Sequence, residues 1–195
     1  MPGKESNLKN MVISLFLVTL GAAVSLGFVY EITKEPIAKA RLERQLEAIR
    51  QVSPAFDNQP LAEAFKAGAD SLECYPALEQ GELKGLAVKT FSAEGYSGEI
   101  WLMAGFTPDG RVNDIRVLEH RETPGLGSKM ADDKFRQQFA GKPFNAKTMQ
   151  VKQDGGEIAA ISGATITSRA FCQALEKAWM AFQSQEGRSK NTENR

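Results

Sequence analysis

Hydrophobic and polar positions are distributed unevenly along this chain. Met11 to Tyr30 reads MVISLFLVTLGAAVSLGFVY, twenty residues without a charge. A helix of that length rises roughly 30 Å, about one bilayer hydrocarbon core. Ser14, Thr19 and Ser25 can return their hydroxyls to helical carbonyls. The run is long for the apolar part of a cleaved leader, and no Ala-x-Ala-like site closes it. It also exceeds what a small domain buries as a core helix. It therefore reads as a retained N-terminal transmembrane anchor after a short N-terminus, residues 1–10. Lys4 and Lys9 precede the span, and Lys34, Lys39, Arg41 and Arg44 follow it. Counting these cations leaves the orientation open.

Beyond the anchor, Pro36 is expected to interrupt the helix. From Ile37 the chain is rich in Ala, Leu, Glu and Arg, and Leu42, Leu46 and Ile49 form a narrow apolar stripe. This predicts a connecting helix within residues 31–53, ending before Pro54. From about Ala55 the pattern becomes that of an α+β domain, residues 54–184. Leu83–Phe91, Glu99–Phe106 and Arg111–His120 read as three strands of an antiparallel meander. Thr107-Pro-Asp-Gly closes its second hairpin. A helix is expected around Lys129–Phe139, with Phe135 and Phe139 one turn apart, and a further strand at Met149–Asp154. A long helix from about Thr165 to Gln183 carries one apolar face, built from Ala170, Phe171, Ala174, Leu175, Ala178, Trp179 and Phe182. Residues 185–195 read as a flexible polar tail.

Composition narrows the chemistry. The 195 residues carry 24 Lys+Arg and 24 Asp+Glu, for zero formal net charge. No basic excess suggests nucleic-acid binding. A mean hydropathy of −0.32 excludes a multi-spanning membrane protein. One histidine and two cysteines are too few for a His/Cys metal cluster or an iron–sulfur centre. His120 would have to serve any Ser-His-Asp triad, and it reads more simply as a loop-edge residue. Cys74 and Cys172 read as two free, partly buried thiols rather than a disulfide. Trp101 and Trp179 read as core aromatics.

Two segments exceed structural punctuation. Glu122-Thr123-Pro124-Gly125-Leu126-Gly127 leaves the third strand and enters a helix, and its Pro and glycines force an irregular backbone beside a helix start. Ile161-Ser162-Gly163-Ala164-Thr165-Ile166-Thr167-Ser168 crowds four hydroxyls where the last helix begins. One helix cap needs one hydroxyl, not four. Gly163 and Ala164 remove side-chain bulk, and a helix N-terminus favours a phosphate. The segment reads as a seat for a phosphate monoester beside a hydroxyl that could be esterified to it. Thr167 is the rival acceptor to Thr165. Its hydroxyl, further inside the helix, is expected to bond a carbonyl one turn back.

These residues resemble a known family. SGATITS is similar to the S/T-G-A-T motif of domains that carry FMN covalently through its phosphate on the last threonine of the tetrad. That bond is made by a dedicated flavin transferase. ETPGLG after His120-Arg121, the Gly95-Tyr96-Ser97-Gly98 loop, the anchor and the order of the pieces resemble the RnfG family, with NqrC as its sister. RnfG proteins are FMN-binding subunits of the Rnf complex, an ion-translocating ferredoxin:NAD oxidoreductase. The resemblance implies Thr165 as the phosphoryl acceptor. It implies Ser162, Gly163, Ala164 and Thr167 around phosphate or ribityl oxygens, and Glu122, Thr123, Gly125, Leu126 and Gly127 along the flavin's other side. It also implies other membrane subunits of the complex as partners and an extracytoplasmic domain anchored in the cell inner membrane. One position departs from the pattern: where the transferase's target carries Asp three residues before the Ser/Thr, this chain has Ala159. The alternatives to an Rnf subunit are an NqrC-type subunit of a sodium-pumping NADH:quinone oxidoreductase and an anchored, non-redox binding module.

Overall fold

The computed structural model describes residues 8–192, with side chains described as far as Gln185. The chain divides into two compact units, Met1–Glu43 and Arg44–Arg195. The first consists of the greater part of α1, a helix that runs from Leu8 to Val52. Its apolar segment is long enough to cross a membrane, and the side chains from Met11 to Val18, with Val24, Leu26, Phe28 and Tyr30, are exposed. Thr19, Ser25 and Thr33 each donate a hydroxyl to the carbonyl four residues back, at 2.9, 2.8 and 2.8 Å. The expected break at Pro36 is absent, because α1 passes through it. Proline costs a helix interior one hydrogen bond and about 3 kcal/mol, and strong helix formers on its C-terminal side let the helix resume.

In the second unit, five strands form one antiparallel sheet in the order β1 to β5: Phe65–Ala67, Leu72–Glu79, Glu82–Gly95, Gly98–Phe106 and Val112–Glu119. The expected three-stranded meander is its β3–β5 half. The first two strands escaped the sequence pattern for identifiable reasons. β1 has only three residues, and β2 contains Pro76. β1 pairs with β2 no further than Cys74, so Pro76 lies beyond it, where its missing N–H leaves no ladder bond unmade. The Asn58 side chain covers that stretch: its amide donates to the Pro76 carbonyl and its oxygen accepts the Leu78 N–H, at 2.9 and 3.0 Å.

The sheet is covered on both faces. α3, Thr165–Thr192, packs over Leu86, Val88, Leu102, Ala104 and Phe106 with its Phe171, Ala174, Leu175, Ala178 and Phe182. Thr90 adds a buried hydrogen bond to the Ala174 carbonyl at 2.8 Å. α3 extends to Thr192, so much of the expected flexible tail is helical. On the other face, Ala48, Ile49 and Val52 at the end of α1 pack against Tyr75, Ala87 and Met103. Gly105 is required there: a Cβ on it would overlap the Val52 carbonyl.

Between β5 and α3 the chain is irregular. The helix expected at Lys129–Phe139 is a 3-10 turn, Gly127–Ala131, followed by a four-residue α2, Asp133–Arg136. Extended backbone at Asp132 separates them. Arg136 is buried and anchors α2 to β5, donating to Asp114 Oδ1 at 2.9 Å and to the Ile115 carbonyl at 2.7 Å. Phe135 and Phe139 meet Phe171 of α3, with ring centroids 5.2 Å away in each case. The strand expected at Met149–Asp154 reduces to one bridge, Val151 with Ile158, and a 3-10 turn at Lys152–Asp154. The positive φ of Gly155 folds this segment back on itself. Trp179 joins an aromatic group with Phe106, Phe144 and Phe182. Trp101 instead lies partly exposed, stacked on Phe91 at 4.8 Å.

Cys74 and Cys172 are free and buried, and burial pushes both thiols up to about 12. Neither thiol should react measurably with a thiol-exchange reagent at pH 8 in the folded protein, and both should react after denaturation. Rapid labelling of the native chain would contradict their burial. Gly105→Val should destabilise the second unit by about 2 kcal/mol or more, because backbone must move to admit the side chain. A denaturation midpoint equal to that of the parent would show that the end of α1 does not press on β4.

Candidate functional site

The two unusual segments meet at the start of α3. Gly163 has a φ of +75°, which a side chain would strain, and it turns the chain into the helix. The Ala164 N–H donates to the Ile161 carbonyl at 2.9 Å. Ser168 closes the junction: its hydroxyl accepts the Ile161 N–H at 2.9 Å and donates to the Ala164 carbonyl at 3.0 Å. The four hydroxyls thus divide by role. Ser168 is buried in the junction. Thr167 is buried too, and its hydroxyl donates to Glu122 Oε2 at 2.6 Å, not to a carbonyl one turn back. Ser162 is exposed and Thr165 half-buried, and neither side chain makes a hydrogen bond among the described residues. Thr165 is the first residue of α3, where backbone N–H groups have no partner inside the helix.

The ETPGLG loop lies against this junction. Gly125 has a φ of +75°, and its N–H donates to the Ser128 hydroxyl at 2.9 Å. The Leu126 N–H returns to the Thr123 carbonyl at 3.2 Å, tightening the loop before the 3-10 turn. Thr123, Gly125 and Leu126 are exposed, while Gly127 is buried. A Cβ on Gly163 would lie 3.3 Å from Leu126 Cδ2, so the leucine side chain borders the space left by the missing Cβ. The resulting surface combines a half-buried threonine hydroxyl, a helix N-terminus, bare backbone at Gly163 and an apolar wall at Leu126. Such a surface suits a ligand with an anionic end and a flat apolar end.

Glu122 joins the elements behind that surface. It is 5% exposed. One carboxylate oxygen accepts from Thr167 of α3, and the other accepts the Ser97 N–H of the β3–β4 loop at 3.0 Å. Its own N–H donates to His120 Nδ1 at 3.2 Å, so neutral His120 carries its proton on Nε2. Gly127 leaves room for Glu122, since a Cβ there would lie 2.5 Å from Oε2, whereas a Cβ at Gly95 would first meet the Gly98 carbonyl at 2.2 Å and then Oε1 at 2.9 Å. Glu122 and Thr167 thus face each other in the interior, whereas Ser162, Gly163, Thr165, Thr123, Gly125 and Leu126 reach the surface.

Sequence patterning holds no sign of two supporting contacts. Arg169 forms a two-pronged ion pair with Asp154, at 2.7 and 2.6 Å, fastening the 3-10 turn to the first turns of α3. This holds the Asp154 carboxyl below its ordinary range. The Gln138 side chain brackets the backbone of Ala159, accepting its N–H at 2.7 Å and donating to its carbonyl at 3.2 Å. The Ala159 side chain stays exposed. A cleft lined by Gly98, Glu99, Trp101, Glu119, His120 and Arg121 borders the Glu122 region.

Known proteins are similar to this chain. The FMN-binding domain family matches residues 95–180, a stretch containing both motifs and the β3–β4 loop. RnfG of the Vibrio cholerae ion-translocating oxidoreductase complex is 35% identical over 178 residues, covering 83% of this chain and 85% of that protein. The RnfG of Shewanella baltica is 32% identical, covering 88% and 89%. The crystal structure of Shewanella oneidensis NqrC is similar with a TM-score of 0.51 at 25% identity, covering 72% of this chain and 70% of that one. On these likenesses, which extend over most of its length, the chain belongs to the RnfG family of ion-translocating oxidoreductase complexes and carries an FMN-binding domain.

Proposed function

We propose that this flavoprotein subunit holds FMN covalently, through a phosphoester to the Thr165 hydroxyl, and carries electrons within an Rnf-type ferredoxin:NAD oxidoreductase. The observation that carries the proposal is the division of hydroxyls at the start of α3. Ser168 and Thr167 are committed to internal bonds, while Thr165 stands half-buried at the helix N-terminus without a partner among the described residues. When bound, FMN supplies reversible one- and two-electron transfer.

The remaining work falls to the chain's own side chains. Thr165 would supply the ester oxygen, and the first N–H groups of α3 would neutralise phosphate charge. Ser162 would donate to phosphate or ribityl oxygens, and the lack of a side chain at Gly163 would admit them close to the backbone. Ala164 adds little bulk beside them. Leu126 would exclude water from one side of the flavin, on a loop shaped by Thr123, Gly125 and Gly127. Residues that hold a flavin and pass electrons to neighbours need no catalytic acid or base, and none is assigned.

An Rnf assignment is favoured over an Nqr one by identity: RnfG relatives reach 32–35% over most of both chains, against 25% for NqrC. In this reading a flavin transferase makes the phosphoester, the Thr165 hydroxyl displacing a nucleoside monophosphate from a flavin dinucleotide, and the other membrane subunits of the Rnf complex are the working partners. Residues 11–30 span the cell inner membrane, with residues 1–10 cytoplasmic and the FMN-binding domain, 54–184, extracytoplasmic. A covalent tether suits a surface where a dissociated cofactor could not be replaced.

Full-length protein co-expressed with a flavin transferase should gain the mass of one phosphoester-linked FMN, located on the Thr165 peptide. Thr165→Val should abolish the adduct and leave the fold intact; an adduct retained in that variant would overturn the attachment site. Ala159→Asp should raise flavin occupancy, since the side chain at this position is exposed and its backbone is already held by Gln138. In intact spheroplasts, added protease should digest the domain beyond Glu31, and full protection would reverse the topology.

A further inference from the structure

We propose that Glu122 and Thr167 are positioning residues that form a buried latch, setting both the reactivity of Thr165 toward FMN and the potential of the attached flavin. The inference rests on the attachment reading above and deepens it. Three elements converge on one carboxylate: the β3–β4 loop through the Ser97 N–H, α3 through the Thr167 hydroxyl, and the flavin-side loop through Glu122 itself. Thr167 lies two residues beyond Thr165 on the first turn of α3. Fixing Thr167 to Glu122 therefore fixes the helix start relative to Leu126, on the same loop as Glu122.

Gly127 argues that this contact is built in. A Cβ at Gly127 would strike both partners, 2.5 Å from Glu122 Oε2 and 2.9 Å from Thr167 Oγ1. A Cβ at Gly95 would meet the Gly98 carbonyl at 2.2 Å before the other carboxylate oxygen at 2.9 Å, so that glycine answers first to the β3–β4 turn. The backbone of Gly127 does not account for its missing side chain, since its φ is not positive. Space has been cleared beside Oε2 at Gly127, and both carboxylate oxygens accept a hydrogen bond. Charge is the second consequence. A carboxylate held at the first turn of α3 complements the positive end of the helix. It also places a negative charge beside the proposed flavin seat, which opposes the arrival of electrons there.

The test uses the full-length chain in two forms. In FMN-free protein, hydrogen exchange at the Ser97 amide should accelerate about tenfold or more in Glu122→Ala, as loss of a part-buried bond to a charged acceptor predicts. Gly127→Ala should do the same by pushing the carboxylate aside. In protein co-expressed with a flavin transferase, Thr167→Val should lower the rate of FMN attachment about tenfold, as misplacement of a reacting group predicts. Thr167→Ser, which keeps the hydroxyl, should restore it. Glu122→Gln keeps an acceptor for Ser97 but removes the charge, so it should move the flavin midpoint potential in the positive direction. A residue with a structural role alone would lower thermal stability and leave the potential unchanged. Attachment rate and potential within error of the parent in folded Thr167→Val and Glu122→Gln would overturn the proposal, as would unchanged Ser97 exchange in Glu122→Ala. The exchange measurement needs no flavin. A parent protein that takes up no FMN therefore defeats the attachment reading, while the latch is still judged by exchange.

Discussion

A carboxylate removed from water must find donors for its oxygens or lose its charge. Glu122 finds them on two different elements, the β3–β4 loop and the first turn of α3, and much of the site follows from that requirement. Ser97 has to present its backbone N–H, Thr167 has to turn its hydroxyl inward, and Gly127 has to lack a side chain. Once these conditions hold, the loop carrying Leu126 and the helix start carrying Thr165 have one relative placement. The surface hydroxyls are then those the interior does not consume.

The sheet provides the frame on which this occurs. Its β3 and β4 strands lie under α3, so the N-terminus of that helix emerges at the end of the sheet where the β3–β4 loop and the exit from β5 also lie. α3 is held by an apolar face of small and aromatic residues, by Thr90 bonding its Ala174 carbonyl, and by the Arg169–Asp154 pair near its start. A helix fixed along its length presents its N–H groups at a defined place, which is what binding an anion at a helix end requires. The opposite face of the sheet is closed by the end of α1, where Gly105 lets the Val52 carbonyl approach. The second unit therefore includes the last turns of a helix whose apolar part is long enough to cross a membrane.

Family membership and physical reading support each other differently. Likeness to RnfG proteins identifies the kind of complex this chain serves. The geometry adds distinctions that a motif leaves unmade. Within SGATITS, side-chain burial separates Thr167 from Thr165, and within ETPGLG it separates Glu122 from Leu126. The exposed side chain of Ala159 likewise marks a position where substitution would leave the core undisturbed.

The membrane-length apolar run, the β3–β5 meander, the amphipathic last helix and the two irregular segments were all legible in the residues alone. Each of these is a local pattern: an uncharged run, alternation by twos, a stripe at 3.6 residues, or a cluster of Gly, Pro and hydroxyls. Other features arise only from contacts between distant parts of the chain. β2 forms despite Pro76 because its neighbour β1 stops short of that residue. The 129–139 segment breaks at Asp132 because Arg136 is drawn to Asp114 and Ile115 on β5. Two further differences are local in origin: α1 continues through Pro36 because strong helix formers follow it, and the segment at 149–154 turns back on the positive φ of Gly155. The division of four similar hydroxyls between interior and surface was likewise illegible in SGATITS. For Thr167 it depends on Glu122, forty-five residues away in sequence, and that contact exists only once the chain has folded.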